Sequence, residues 1–271
     1  MIKIEPPDLF VKLIMKKNFF KSALFAGILF SVFINEHAFS QGSIRDSSIA
    51  MHIVGVGYSF QIPAGDLADR FGSSSMVGVN YAYKLKSNFL FSLNAGYIFG
   101  GDLKEDSILK NISSEDGYIM GNDGQYADIR LFERGYHISL TFGKLFTFKK
   151  PNPNSGIALM AGPGFLQHKI RIETIGNTVP QLSKEYKKGY DRLTNGMEIH
   201  ESVAYYYFGN RYLVNFYFGF EFIQAFTQNR RDFNFDTMMK DDKNRVDLLF
   251  GVKAGWMLPI YRKAPNKFYF N

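Results

Sequence analysis

From about residue 49 onward, apolar and polar residues alternate with period two, the pattern of strands whose two faces meet different surroundings. Eight segments carry it, near 49–62, 76–86, 89–99, 135–148, 155–171, 197–208, 212–227 and 244–260. Each has or slightly exceeds the length of about ten residues that a tilted strand needs to cross a bilayer. Short connections rich in Asn, Pro and Gly (Lys86-Ser87-Asn88, Lys149 to Asn154, Gly209-Asn210-Arg211) alternate with long ones near 63–75, 100–134, 172–196 and 228–243. In an up-and-down barrel, that alternation puts the tight turns at one end and the long loops at the other. The expected fold is all-β: an eight-stranded antiparallel up-and-down transmembrane β-barrel.

Alternation alone also fits a soluble barrel with its apolar side turned inward. Composition separates the two. The chain holds 28 Phe, 16 Tyr and 1 Trp. One strand face carries rings such as Tyr58, Phe60, Phe91, Tyr97, Phe142, Phe218, Phe220, Phe250 and Trp256, and the other carries Gly57, Gly78, Ser92, Gly96, Ser139, Gly164, Ser202, Gly251 and Gly255. An eight-stranded barrel is only just wide enough to be filled by side chains, so roughly twenty rings cannot fit inside it, whereas small and polar residues can. The aromatic face is expected outside, where lipid suits it and water would make it an aggregation surface.

Residues 1–40 are expected to be a signal region. From Met15 the order is a basic stretch (Lys16-Lys17-Asn18-Phe19-Phe20-Lys21), an apolar run from Ala23 to Ile34, and Ala38-Phe39-Ser40. This predicts a true start at Met15, cleavage after Ser40 and one barrel domain over 41–271. The apolar run is shorter than the roughly 20 residues of a spanning helix. Cysteine is absent, which excludes a disulfide framework, a thiolate metal site, a thiol nucleophile and a lipid-anchoring cysteine. The net charge of +7 is modest and unevenly spread, and nucleic acid is not an expected partner.

The segments Gly57 to Gly72 (GYSFQIPAGDLADRFG), Gly164 to Ile170 (GFLQHKI), Asn215 to Glu221 (NFYFGFE) and Gly255 to Tyr261 (GWMLPIY) resemble small outer-membrane barrel proteins of the Bacteroidota type, broadly akin to the OmpX class and the OmpA membrane domain. The resemblance implies a fold and a location in the outer membrane, and no activity. Two departures are that the peptidoglycan-binding domain of the OmpA type is expected to be missing, and that the chain ends in Asn271 after Phe268-Tyr269-Phe270.

Interior positions of the last hairpin form an expected polar network of Asn215, Tyr217 and Glu221 on one strand with Asp247 and Lys253 on the next. Counting up from the tight-turn end places Glu221 and Lys253 at similar height, and a lone interior ion is costly, so they are expected to pair. Such a pair can act as a gate or hold the barrel shut; the narrow lumen favours the second, with no constitutive pore. His137-Ile138-Ser139 has the His-x-Ser spacing of outer-membrane lipid A deacylases, and Glu198 or Glu201 offers a carboxylate to orient the histidine. Tyr136, Ile138, Leu140 and Phe142 claim the lipid face, however, which turns His137 and Ser139 inward. Polar filling is the favoured reading, and no enzyme and no cofactor are expected.

Asp232-Phe233-Asn234-Phe235-Asp236 begins like a calcium loop. Thr237 stands where the turn glycine belongs and Lys243 where the bidentate glutamate belongs, so an EF-hand is rejected and no metal is assigned, although a casual calcium contact stays open. Lys184, Lys187, Lys188 and Arg192 are candidate contacts for lipopolysaccharide phosphates. The loop near 100–134 is acidic (Asp102, Glu105, Asp106, Glu115, Asp116, Asp123, Asp128, Glu133), which would let the two loops lock over the mouth, but exposed pairs are weak and solvated loops are favoured. Asp66 to Gly72 reads as one or two helical turns on the rim, with Asp66 as N-cap and Leu67 and Phe71 on one face. Expected partners are outer-membrane lipids including lipopolysaccharide, and other envelope proteins. A structural or interaction barrel is favoured over a lipid A-modifying enzyme and a narrow solute channel.

Overall fold

The computed structural model describes residues 47–105, 107–148, 151–176, 178–209 and 213–261. The signal region, Asp106, Lys149, Lys150, Asn210, Arg211 and the terminal Phe268 to Asn271 lie outside the described residues. Eight strands form a closed barrel in sequence order: β1 (Met51–Gly65), β2 (Ser74–Lys84), β3 (Phe89–Gly100), β4 (Asp128–Thr147), β5 (Gly156–Ile175), β6 (Thr194–Phe208), β7 (Asn215–Asn229) and β8 (Asn244–Ile260). Every neighbouring pair is antiparallel, and β8 closes on β1 through pairs from His52↔Ile260 to Gly65↔Asp247. Closure removes the free sheet edge that lipid cannot hydrogen-bond.

The two faces divide as the sequence pattern requires. Val54, Val56, Tyr58, Phe60 and Ile62 of β1 point outward and are exposed, as are Phe216, Phe218, Phe220 and Phe226 of β7. Inward positions are small where a large neighbour needs room. Gly255, Gly57, Gly78 and Gly96 lie in register across β8, β1, β2 and β3. A Cβ on Gly57 would fall 2.0 Å from the Tyr217 hydroxyl, and one on Gly255 would fall 2.5 Å from the same ring. Gly57 and Gly255 leave the room that the Tyr217 ring occupies. At the tight-turn end, Asn88 takes a positive φ of 65° in the β2–β3 turn, a conformation Asn tolerates better than most residues.

At the loop end the strands reach further than the pattern suggested, most of all in β4, β5 and β6. β4 begins at Asp128 instead of near 135, β5 runs on to Ile175 instead of 171, and β6 begins at Thr194 instead of 197. Asp128↔Ile175 is the top of the β4–β5 ladder. This hairpin rises above the main aromatic belt, where Arg130, Arg134, Lys169 and Arg171 surround Phe132 on its outer face. Water on that face suits charge, so the apolar alternation that marks a strand in lipid fades. The connections near 100–134 and 172–196 are correspondingly shorter.

Three layers fill the barrel. At the tight-turn end, Ile49, Met51, Ile53, Leu90, Leu145, Phe208 and Met257 belong to one apolar cluster. Beneath it the segment before β1 is held by Asn154, whose side chain accepts the Ile49 N–H at 3.0 Å and the Lys84 ammonium at 3.0 Å. A polar layer occupies the middle. At the loop end, a second apolar cluster joins barrel residues Met76, Ile98, Leu166, Ile223 and Leu249 to loop residues Leu67, Phe71, Ile108, Ile119, Leu182 and Tyr190.

The rim helix is a single turn, and it is capped differently from the expectation. It is a 3-10 turn over Asp66–Asp69, Gly65 occupies the cap position with φ 62°, and no side chain caps it. Asp66 instead accepts the Val246 N–H at 2.8 Å and the Lys243 ammonium at 2.9 Å, tying the first loop to β8. Leu67 and Phe71 do share a face, and it is turned into the mouth, where both are fully buried.

Candidate functional site

The middle polar layer forms where β4, β6, β7 and β8 point alternate residues inward. Glu221 lies within 3.8 Å of the Lys253 ammonium and 3.5 Å of His200 Nε2, and it accepts the Gln61 amide at 3.3 Å. The Tyr217 ring lies beneath Lys253, with the ammonium 5.9 Å from its centroid. Tyr217, Glu221 and Lys253 therefore meet. Asn215 and Asp247 do not join them. Asn215 closes the β6–β7 turn by accepting the Gly209 N–H at 3.1 Å, and Asp247 belongs to the loop end of the barrel. The five-residue network expected for this hairpin is thus spread over three heights, because β7 and β8 run the full length of the lumen.

Ser139 and His137 both point inward but serve different partners. Ser139 Oγ lies 2.8 Å from His200 Nδ1, while His137 Nδ1 lies 3.0 Å from Glu198 Oε1. Glu201 corrects the sequence reading: it is exposed on the outer face of β6, opposite Ala161 and Phe222, and cannot orient a histidine inside the barrel. Ser139, His200 and Glu221 do line up as hydroxyl, imidazole and carboxylate. Ser139 is 1% exposed, however, and the adjoining cavity, lined by His137, His200, Glu221 and Lys253, has a volume of about 50 Å³. That space suits a few waters and is far smaller than ligand pockets of about 300 Å³ and upward.

The loop end holds a run of alternating charge that begins inside the barrel. Asp247, fully buried, accepts from His168 Nε2 at 2.9 Å and from the Thr227 hydroxyl, and faces Arg70 Nη2 at 4.0 Å. Arg70, carried in by Leu67 and Phe71, donates to Thr194 Oγ1 at 3.1 Å and faces Glu105 at 4.0 Å. Glu105 pairs with Arg192 at 2.9 Å, and Arg192 reaches Asp236 at 2.6 Å. A separate pair, Arg231 with Asp191, ties the third and fourth loops. Asp236, first noted for a calcium-like pattern, is engaged by arginine.

Of the four basic residues singled out in the third loop, only Arg192 enters this run. Lys184 is exposed, Lys188 pairs with Glu185 at the surface, and Lys187 lies in the 3-10 turn Tyr186–Gly189. His168 and His200 were legible as inward positions of β5 and β6 by strand parity. Arg70 had no comparable signal, because a loop residue is placed by the insertion of its neighbours.

Two expected results follow for this lid. Arg192→Ala removes the bridge between Glu105 and Asp236, and trypsin acting on intact cells should cut at Lys187 or Lys188 about tenfold faster. The Asp66 carboxyl is held below its ordinary value of 3.8 by the hydrogen bond from Lys243 and then by that from Val246. A lowered carboxyl adds stability above its unfolded value that is lost as the pH falls through the folded one. Asp66→Asn should therefore unfold at lower urea than the parent at about pH 6, and the difference should shrink as the pH falls below the ordinary carboxyl value of 3.8.

A closed barrel with an outward belt of Phe, Tyr and Val, tight turns at one end and long loops at the other is built for the outer membrane. This chain is an outer-membrane barrel. No protein-family model matches it, and no curated protein sequence does. Among solved structures it is similar to Ail, the attachment invasion locus protein of Yersinia pestis, at 8% identity over 78% of this chain and 99% of that one, with a TM-score of 0.40. It is also similar to OprG of Pseudomonas aeruginosa (9% identity, 80% and 99% covered, TM-score 0.35) and to the N-terminal β-barrel domain of OprF from the same organism (12%, 75% and 97%, 0.33). At those scores the likeness is no guide to role.

Proposed function

We propose that the mature chain, 41–271 after removal of a signal region, is a structural and interaction barrel of the outer membrane that acts through its extracellular lid and neither conducts nor catalyses. The observation that carries this reading is the charged run from Asp247 through Arg70, Glu105 and Arg192 to Asp236, which fixes four loops on a filled barrel. A lid held in one shape lowers the ordering cost of binding a partner. Lys184, Lys187 and the exposed Tyr186 stand on its rim, and their chemistry suits lipopolysaccharide phosphates and acidic faces of envelope proteins.

The test is crosslinking in intact cells, recovery in detergent through a tag inserted at the exposed turn residue Gly124, and mass spectrometry of lipid and protein. The expected result is an envelope component that is recovered with the parent chain and lost when Lys184, Lys187 and Lys188 are all changed to Gln. Identical recoveries from the two chains would refute a role for the lid.

A further inference from the structure

Towards the loop end, the main aromatic belt on β4 to β7 stops at Tyr136, Phe165, Met197 and Phe226, the last three in register with one another. The next outward positions are Arg134, Gln167, Asn195 and Gln228, followed by Phe132, Lys169 and Arg230. Arg134 and Lys169 stand opposite each other across β4 and β5. Like charges directly opposite one another on a sheet repel. The acids of this band do not relieve them, because Asp128 pairs with Arg130 at 3.1 Å and Glu173 with Arg171 at 2.6 Å. Arg134 donates only to the main-chain oxygens of Gly100 and Glu133, and its guanidinium lies 4.8 Å from the centroid of the Phe132 ring. Arg230 is held by Asn195 at 2.7 Å, with no carboxylate beside it among the described residues. Lys169 is exposed and, among the described residues, has no hydrogen-bond or ion-pair partner.

We infer that this band seats one lipopolysaccharide molecule of the outer leaflet, with a lipid A phosphate between Arg134 and Lys169 and its acyl chains along Tyr136, Phe165, Met197 and Phe226. An anion between the two cations turns their repulsion into charge-assisted hydrogen bonds, and guanidinium and ammonium both suit phosphate oxygens. The apolar surface directly beneath calls for hydrocarbon, which a free phosphate or an acidic protein loop does not carry. The long loops of such barrels face outside, so the band meets the outer leaflet, whose phosphate-bearing amphiphile is lipopolysaccharide. Long basic side chains at this boundary lay their stems on apolar surface and hold their charge at headgroup level. The seat is on the barrel wall, whereas Lys184, Lys187 and Lys188 belong to the third loop, so it does not depend on a role for the lid.

In the test, the folded mature chain in detergent is mixed with lipid A, dephosphorylated lipid A or phosphatidylglycerol, and bound lipid is counted by native mass spectrometry. The parent chain should bind lipid A about tenfold more tightly than either of the other lipids. Changing Arg134 and Lys169 together to Gln should lower the affinity for lipid A about tenfold, to that of the dephosphorylated form. Changing Lys184, Lys187 and Lys188 to Gln should leave it at the parental value. The substituted side chains lie on the outer surface, so the variants are expected to fold, and heat-dependent gel migration checks that they do. Equal binding of dephosphorylated lipid A would remove the phosphate contact and overturn the inference. Equal binding of phosphatidylglycerol would also overturn it, by making the band a seat for any anionic lipid. So would an Arg134 and Lys169 variant that binds like the parent, and a loss confined to the three loop lysines would move the contact to the lid.

Discussion

Asp247→Ala is expected to destabilise the barrel by about 3–5 kcal/mol, the cost of leaving the buried Arg70 cation without its counter-charge. Asp247 is fully buried and is the group on which His168, Thr227 and Arg70 converge. Without it Arg70 keeps only its bond to Thr194 and its distant approach to Glu105, so the first loop should lose its seat in the mouth. Urea unfolding in lipid vesicles, followed through the single Trp256, measures the loss. Asp247→Asn retains an acceptor for His168 and Thr227 and should lose less. A variant with parental stability would show that the loops are held by their apolar contacts alone.

Lys253→Met and Glu221→Gln should each cost a similar amount, about 3 kcal/mol or more, because each breaks a buried pair and leaves one charged member behind. The double variant should be more stable than the sum of the single losses implies, by about 1–3 kcal/mol, since the pair is removed together. Purely additive losses would mean that Glu221 is held by His200 and Gln61 and that its 3.8 Å approach to Lys253 contributes nothing.

How much of this was legible in the sequence depends on what surrounds each residue. Inside the belt the two faces have opposite requirements, so Phe216, Phe218 and Phe220 against Tyr217, Gly219 and Glu221 reveal strand, face and environment together. Above the belt both faces of the β4–β5 hairpin meet water or loops, the contrast drops, and the strand ends at Asp128 and Ile175 were missed. The pairing of Glu221 with Lys253 was readable because adjacent strands were counted from a shared turn. Grouping Asn215 and Asp247 with them failed because parity gives the face of a residue and not its height in the lumen. Glu201 was misplaced through its residue type: strand parity alone, with His200 inward and Ile199 and Val203 outward, puts it in the lipid. The path of Arg70 into the mouth depends on loop packing, which no period in the sequence encodes.

The central claim is that filled layers close this barrel from end to end. Conductance of the purified parent chain in planar bilayers, at high protein load and across a range of voltages, tests it most directly. The expected result is a silent bilayer, and reproducible discrete conductance steps from the folded parent chain would contradict it.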